Sequence, residues 1–448
     1  MLSEIFKAYD VRGVYPNELN EETAYKIGRA FVYFLKCNYV IVGTDMRISS
    51  PKLSRAFMKG VTEQGANAIS IGKVCTDAVY FASGFLNKPA VMFTASHNPK
   101  EYNGLKFCKE NAIPINEDTG LNEIKSIIES EEYNKVKAGK TGRMIRKSIL
   151  KNYVNHVKKF IDVKKLRKLR IAVDAGNGMA GKIIPLVYKN LPLKIVPIYF
   201  RLDGTFPNHP ADPSKYDNLK MLQKTLREKE CDCGMAFDGD ADRIFFVDEK
   251  GNVVNSSLTS SLIIKNILAK NPKEKIIHNV AVSHIVSDTI KKFGGTPIIE
   301  RVGHSFIKDT MRKTKAIFAC EHSAHYYYRD NYHADSGIIT SLIVAEIISK
   351  ENKKLSELLE EFKKYFTIEE TNVEVLDKNL KLKQIEEAYK KQNPEKISKM
   401  DGITVEFDSW WFNVRPSNTE PLLRLNLEAN SQRLMQEKKE ELLRIMKR

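Results

Sequence analysis

Three stretches of the chain share one pattern of hydrophobic and polar positions. In each, a short apolar run ends abruptly in a loop of small polar residues, and the runs are Ala90–Phe93, Cys233–Phe237 and residues 316–320. The polar loops that follow them are residues 94–99, 238–243 and 321–325. A short apolar run bounded by turn residues is typical of a buried strand. We therefore predict three buried strands, each ending in a loop of polar side chains.

Each of these runs follows an earlier strand-and-helix pattern. The earlier strands are predicted at residues 39–43, 170–174 and 275–282. Strands that alternate with helical stretches predict α/β units, and in such sheets the strand ends carry the site. The sequence thus predicts three related α/β domains, at residues 1–147, 148–250 and 251–362.

The remaining residues, 363–448, follow a different pattern. Strands are predicted at residues 366–375, at residues 402–414 and at Leu422–Ala429, and helices at residues 381–392 and 431–448. This pattern indicates a smaller α+β domain, with a hinge before it at residues 360–365.

Composition narrows the range of functions. The chain has 448 residues and a net charge of +16, from 72 Lys and Arg against 56 Asp and Glu. This charge suits nucleic acid, a phosphorylated small molecule or a membrane surface, and it equally suits a lysine-coated surface that only aids solubility. Zinc-finger spacing and an aromatic ribonucleoprotein signature are absent, which disfavours nucleic acid. With neither an apolar run of membrane-spanning length nor a signal peptide, we expect a cytoplasmic protein without a membrane partner.

The second polar loop places three carboxylates two residues apart, at Asp238, Asp240 and Asp242. On a tight loop they can converge on one hard cation such as Mg2+. The spacing also resembles the start of an EF-hand, but Arg243 stands where that calcium loop needs glycine, so we exclude it.

Three other loops carry candidate chemistry. Ser96 beside His97 offers a hydroxyl next to an imidazole. Glu321, Ser323 and His325 are spaced by two, so on an extended segment they would face one way and suit sugar hydroxyls. Between two predicted strands lies a group of polar donors that is typical of a phosphate cradle: Arg415, Ser417, Asn418 and Thr419.

Together these loops resemble the α-D-phosphohexomutase superfamily, and within it the phosphomannomutase/phosphoglucomutase branch. The resemblance covers essentially the whole chain, and the order of its motifs makes it specific. In addition to the loops already described, the matching segments are residues 8–13, 43–47, 103–106, 174–178, 203–209 and 303–308.

The resemblance implies roles for individual residues. Ser96 would carry a phosphoryl group, surrounded by Arg12, His97, Lys106 and Arg243. One Mg2+ per chain would be held by Ser96, Asp238, Asp240 and Asp242. Substrate would be bound by Tyr9, His304, Glu321, Ser323, His325, Arg415, Ser417, Asn418 and Thr419. Lys106 and His97 are both candidates for the general base.

The resemblance also implies a fold and a reaction. The fold is three related α/β domains with mixed sheets plus a smaller C-terminal α+β domain, with the active-site cleft between all four. The reaction interconverts the 1- and 6-phosphates of mannose and glucose through a phosphoserine and a 1,6-bisphosphate intermediate, and a hexose 1,6-bisphosphate would act as activator. The expected partner is a phosphosugar and not nucleic acid, and the expected state is a monomer or homodimer.

One departure concerns the sugar loop, where Cys320 and Ala324 replace the glycines usual in this branch. If either position needs a positive φ, the side chain costs energy there, and sugar preference is the property affected. The nearest alternative is a phosphoglucosamine mutase. A Mg2+-dependent phosphatase and a basic nucleic-acid-binding protein are the alternatives from other classes.

Overall fold

The computed structural model describes residues 2–135, 139–417 and 422–447. Four sheets define four domains, numbered I to IV along the chain. Domain I contains, in chain order, α1 (Leu2–Ile5), β1 (Val11–Val14), α2 (Glu21–Leu35), β2 (Tyr39–Thr44), α3 (Ser50–Glu63), β3 (Asn67–Lys73), α4 (Thr76–Leu86), β4 (Ala90–Phe93), β5 (Tyr102–Cys108), α5 (Asn122–Glu129) and β6 (Met144–Arg146).

Domains II and III repeat this alternation of strands and helices. Domain II contains α6 (Leu150–Val157), β7 (Leu169–Asp174), α7 (Ala180–Tyr188), β8 (Leu193–Ile198), α8 (Lys220–Lys229), β9 (Cys233–Phe237), β10 (Ile244–Val247) and β11 (Val253–Val254). Domain III contains α9 (Ser256–Lys270), β12 (Lys275–Asn279), α10 (His284–Lys292), β13 (Thr296–Glu300), α11 (His304–Thr314), β14 (Phe318–Cys320), β15 (Tyr326–Tyr328), β16 (Ala334–Asp335), α12 (Gly337–Glu351) and α13 (Leu355–Leu359).

One strand order recurs in the first three sheets. It runs β3-β2-β4-β5 in domain I, β8-β7-β9-β10 in domain II and β13-β12-β14-β15 in domain III. In each case the first three strands are parallel and the fourth is antiparallel. The sheets are therefore mixed, and the three domains are related as the sequence predicts.

The change from parallel to antiparallel pairing positions the three polar loops. β4, β9 and β14 are buried along their whole length, which explains their uninterrupted apolar sequences. Each then turns back into its antiparallel neighbour, so the loop between them lies at the carboxyl end of the parallel strands. The three loops thus occupy equivalent places in three equivalent sheets.

Domain IV is the smaller α+β domain that the sequence predicts. It contains β17 (Phe366–Thr367), β18 (Thr371–Glu374), α14 (Lys378–Lys390), β19 (Lys396–Ser398), β20 (Ile403–Phe407), β21 (Trp410–Pro416), β22 (Leu422–Ala429) and α15 (Gln432–Lys447). The strand pairs among its described residues are all antiparallel. The prediction of one strand over residues 402–414 is wrong, because that segment is the hairpin of β20 and β21.

The hydrophobic core is divided between the domains. One buried cluster runs through domains I, II and III and includes Ile41, Ile171 and Ile276. Domain IV has a cluster of its own, around Val405, Phe412 and Leu425. Within the described residues, none of the helices combines the length and apolar character required to traverse a lipid bilayer.

Candidate active site

The polar loops of domains I, II and III meet at one point. The Ser96 hydroxyl donates to Asp238 Oδ2 at 2.6 Å, and Arg243 and His325 form a backbone bridge between the second and third loops. Gly239 allows the first two loops to approach, since a Cβ at this position would lie 2.5 Å from the Ser96 carbonyl oxygen. The three candidate segments are therefore brought together, as the sequence predicts.

Ser96 is held by a residue to which the sequence analysis gave no role. Arg47 is fully buried and donates to four main-chain carbonyls of this loop, those of Ser96, Asn98, Pro99 and Tyr102, at 2.6–2.9 Å. Its Nε lies 3.3 Å from Asp45 Oδ2. Ser96 itself has a φ of 49°, in the left-handed region that few non-glycine residues adopt. Arg47 thus fixes a strained turn that presents the Ser96 hydroxyl.

The acidic loop is suited to a cation. Asp238, Asp240 and Asp242 are completely buried, and one carboxylate oxygen from each lies within 4.8 Å of the others. Among the described residues, the buried Oδ1 of Asp240 has no hydrogen-bond partner, and the buried Oδ1 of Asp242 makes no hydrogen bond and lies 3.5 Å from His325 Nε2. Buried carboxylate oxygens without partners are costly unless a cation binds them, and hard oxygen ligands suit Mg2+. The residues present therefore fit such an ion.

Two cations flank the acidic loop. Lys106 Nζ donates to Asp240 at 3.0 Å and to Asp242 at 2.6 Å, and Arg243 Nε donates to Asp238 at 3.1 Å. Burial alone would lower the pKa of Lys106, but Asp240 and Asp242 raise it well above its usual value. Both side chains are therefore positively charged, beside the Ser96 hydroxyl.

Arg12 and His97 complete the surroundings of Ser96. Arg12 donates at 2.5 Å to Asn98 Oδ1 and at 2.5 Å to Asp10 Oδ2. His97 Nδ1 lies 3.3 Å from Ser96 Oγ. Burial, and then the nearby arginines, lower the pKa of His97 well below its ordinary value, so the ring is neutral. The Ser96 hydroxyl thus lies in a loop with an uncharged imidazole, and that loop is hydrogen-bonded to the fixed cation Arg12 of strand β1.

The sugar loop differs from the predicted geometry. Residues 321–325 form a tight turn, in which Ala324 N donates to Glu321 O and Glu321 N donates to His325 O, so the expectation of an extended segment is wrong. The turn still brings the side chains together, with Ser323 Oγ 2.8 Å from His325 Nδ1. Ala324 has a φ of 63°, whereas Cys320 ends strand β14. Of the two glycine replacements, it is Ala324 that occupies a left-handed position.

Glu321 is buried and oriented by three donors. These are Asn279 Nδ2 at 3.1 Å, the Gly303 amide at 3.2 Å and the Tyr327 hydroxyl. His304 begins helix α11 next to this group, and its ring packs edge-on against Tyr9 of domain I with centroids 5.1 Å apart. The substrate-binding candidates of domains I and III therefore line one surface.

The candidate phosphate residue of domain IV lies in an ion cluster that sequence reasoning missed. Arg415 Nη2 lies 2.6 Å from Glu370 Oε2, and Arg424 Nη1 lies 3.2 Å from Glu370 Oε1. The two arginines are directly opposite across β21 and β22 and so share a face of the sheet. Burial would raise the pKa of Glu370, but Arg415, His322 and Arg424 lower it to about 2. In the sequence, polar Arg424 and Asn426 alternate with leucines along strand β22, and this alternation indicates that the two polar side chains share one face of the sheet.

The charge of Arg424 acts on Tyr9 of domain I. Burial and then Asp10 raise the pKa of Tyr9, and the charges of Arg12 and, more weakly, Arg424 oppose this rise. Ser417 is buried, and its carbonyl accepts a hydrogen bond from Lys378 Nζ at 3.0 Å. Asn418 and Thr419 lie outside the described residues.

Comparison with known proteins agrees with this architecture. The chain matches four families in succession, described as phosphoglucomutase/phosphomannomutase alpha/beta/alpha domain I (residues 3–135), domain II (residues 151–251), domain III (residues 255–365) and C-terminal domain (residues 370–445). The chain belongs to the phosphoglucomutase/phosphomannomutase family. It is therefore an enzyme of the isomerase class, a phosphohexomutase, as the resemblance implies.

Relatives span the whole length of the chain. It is 38% identical over 457 residues to a phosphomannomutase of Vibrio cholerae, covering 99% of this chain and 98% of that protein. It is 37% identical over 439 residues to a phosphomannomutase of Methanocaldococcus jannaschii, covering 98% and 96%. A solved phosphoglucomutase/phosphomannomutase family structure from Burkholderia thailandensis superposes with a TM-score of 0.89 at 28% identity, covering 99% of this chain and 96% of that one.

Proposed function

We propose that this phosphohexomutase interconverts hexose 1-phosphates and 6-phosphates of both mannose and glucose, with Ser96 as the phosphoryl carrier. The observation that carries the proposal is the position of the Ser96 hydroxyl, 2.6 Å from Asp238 in a group of carboxylates flanked by Lys106 and Arg243. Phosphoryl transfer requires positioning and charge neutralisation more than covalent activation. The surroundings of Ser96 meet both needs.

The proposed reaction has two transfers. In the first, the free hydroxyl oxygen of the sugar phosphate attacks phosphorus on Ser96. A new P–O bond forms and the P–Oγ bond breaks, while the hydroxyl proton passes to the neutral His97 ring, 3.3 Å from Ser96 Oγ, and from there to the departing Ser96 oxygen. The resulting 1,6-bisphosphate reorients, and Ser96 then takes the other phosphoryl group. A hexose 1,6-bisphosphate would therefore also phosphorylate Ser96 and so activate the enzyme.

Each side chain around Ser96 has a proposed task. Asp238, Asp240 and Asp242 would hold one Mg2+, which supplies positive charge beside the phosphoryl oxygens when bound. Lys106, Arg243 and Arg12 would neutralise the equatorial oxygens during transfer. Arg47 keeps the loop of Ser96 in place.

The sugar and its second phosphate bind on the facing surfaces. Glu321, Ser323 and His325, with His304 and Tyr9, would contact the sugar hydroxyls. Arg415, Ser417, Asn418 and Thr419, joined by Arg424, would hold the phosphate that is not reacting. A phosphate dianion is attracted to paired guanidinium groups, so its binding would draw domain IV over the cleft and exclude water.

The test is a coupled assay of the purified protein on mannose 1-phosphate and glucose 1-phosphate, with trace bisphosphate. Both should be converted, and glucosamine 6-phosphate should be a poor substrate. The intact mass should show a fraction about 80 Da heavier, the mass of one phosphoryl group. Ser96→Ala should lose this fraction and about 10²-fold or more in turnover, because the covalent route is gone.

Ser54→Ala is the matched control, because Ser54 is a buried domain I serine whose hydroxyl bonds the Pro51 carbonyl of its own helix. It should keep both the heavier fraction and the turnover. Full activity in Ser96→Ala would exclude Ser96 as carrier. Turnover of glucosamine phosphate alone would favour the phosphoglucosamine mutase alternative.

A further inference from the structure

Helix α4 of domain I begins against the acidic loop of domain II. Thr76 is its first residue and is completely buried. The Thr76 amide donates to the Asp240 carbonyl at 3.1 Å, and the Thr76 hydroxyl donates to Asp240 Oδ2 at 2.5 Å. The amides of a first helical turn lack partners within the helix, and here one of them is satisfied by another domain.

The two hydrogen bonds fix both the backbone and the carboxylate of Asp240. A carboxylate only accepts, so the threonine hydroxyl is the donor. Oδ2 also accepts from Lys106 Nζ at 3.0 Å, whereas the buried Oδ1 has no hydrogen-bond partner among the described residues. The donors on Oδ2 therefore set the rotation of the carboxylate and leave Oδ1 available to a cation.

The position of Thr76 is itself fixed by all three α/β domains. The next residue, Asp77, is buried and accepts from the Tyr153 hydroxyl of helix α6 at 2.6 Å. It also accepts from the hydroxyl of Ser336, the residue that caps helix α12 of domain III. The start of α4 is thus tied to domains II and III, and it cannot shift without breaking these contacts.

We propose that Thr76 is a positioning residue for the cation site: its hydroxyl orients the Asp240 carboxylate across the boundary between domains I and II. The proposal rests on the proposed role of Asp240 as a metal ligand. Partners that hydrogen-bond a ligating group are typically worth ~10–100-fold in metal affinity. Loss of the hydroxyl should therefore weaken Mg2+ binding by about 10-fold or more.

Three variants separate the hydroxyl from the shape of the side chain. Thr76→Val keeps the branched shape and the amide but removes the donor, and Thr76→Ala removes the donor without adding bulk. Thr76→Ser keeps the hydroxyl and loses a methyl group. Thr62→Val is the matched control, because Thr62 is a buried domain I threonine whose hydroxyl bonds the Lys59 carbonyl of its own helix.

The measurement is Mg2+ binding to the purified full chain by calorimetry, with Mn2+ binding followed by electron paramagnetic resonance. Wild type, Thr76→Ser and Thr62→Val should bind with similar affinity, and Thr76→Val and Thr76→Ala about 10-fold or more weakly. Because the hydroxyl only positions a ligand, saturating Mg2+ should restore most of kcat in the Val and Ala variants.

The outcomes distinguish this inference from the proposed function. Wild type that binds neither Mg2+ nor Mn2+ would remove the metal role itself. Wild-type affinity in Thr76→Val or Thr76→Ala would overturn the role of Thr76 and leave the metal site intact. Affinity lost equally in Thr76→Ser would show that packing, not the hydroxyl, governs the site, and would also overturn it.

Discussion

Replacing Arg47 by lysine should slow turnover without weakening substrate binding. Lysine keeps the positive charge, but its ammonium group carries three N–H donors on one atom instead of a planar fork. Arg47 uses two nitrogens to serve four carbonyls, those of Ser96, Asn98, Pro99 and Tyr102. At least one of these carbonyls, among which that of Ser96 is buried, must lose its partner, and the contact with Asp45 is lost as well.

The expected magnitude follows from those lost bonds. A buried polar group left without a partner costs ~1–3 kcal/mol. We expect the loop of Ser96 to move so that the unpaired carbonyl can find another partner. A shift of about 1 Å in a reacting group can cost ~10²-fold in rate. A 10²-fold loss corresponds to about 2.7 kcal/mol at 1.36 kcal/mol per factor of ten. We therefore expect kcat to fall by about 10²-fold, with KM changed less than about threefold.

The assay measures the steady-state kinetics of Arg47→Lys and of a control variant on mannose 1-phosphate and glucose 1-phosphate. Intact mass gives the phosphorylated fraction of each protein. Arg29→Lys is the control, since Arg29 is also a domain I arginine with main-chain and amide acceptors but lies on helix α2. It should keep its kcat. A kcat for Arg47→Lys within twofold of wild type would show that the turn at Ser96 keeps its conformation without the Arg47 guanidinium, and would refute the role of Arg47.

Three further results are expected. Glu370→Gln should raise KM several-fold, because Arg415 loses the carboxylate that fixes its guanidinium, and a lower KM would contradict this role. The variant should also be less stable than wild type by about 1–3 kcal/mol at pH 7, and this difference should vanish as acid protonates wild-type Glu370 between about pH 4.5 and 2. Ala324→Gly should raise the unfolding midpoint in urea by the equivalent of ~0.5–1 kcal/mol, since it relieves a left-handed alanine; a lowered midpoint would contradict the strain. Mannose and glucose phosphates should differ in kcat/KM by no more than ~1–2 kcal/mol, because they differ only at C2 and a Glu321 carboxylate that bound O3 and O4 would not sense that carbon. A preference above ~10³-fold would show that another contact reads C2.

The polar loops could be predicted from the sequence because each follows a buried strand. An apolar run that stops at Asp238 or Thr94 indicates both that the strand is buried and where the strand ends. The strand order then places the loops after these strands at equivalent sheet edges. The same local signal failed at residues 402–414, where the Asp408-Ser409 turn lies between apolar residues on both sides. At residues 321–325 the predicted loop is present, but the expectation of an extended backbone there is wrong, since a spacing of two fits a tight turn as well as a strand.

The supporting residues could not be predicted from local pattern. Arg47, Thr76 and Glu370 act on segments about 50, 160 and 45 residues away along the chain, so their role exists only in the folded arrangement. In the sequence, a threonine before a helix indicates an N-terminal cap, and a lone arginine or glutamate indicates a solvated surface. What these residues do follows from their burial and their partners.

The division of the hydrophobic core has a consequence for how the enzyme loses structure. Domains I to III each have a further buried cluster, but the shared cluster joins them, so they should unfold as one cooperative unit, whereas domain IV contributes none of its described residues to the shared cluster and can open separately. Ser96, the three aspartates and the sugar loop belong to the first unit, and Arg415 belongs to the second. Heat or denaturant can therefore remove the proposed phosphate-binding residue Arg415 from the cleft while the acidic loop is still folded.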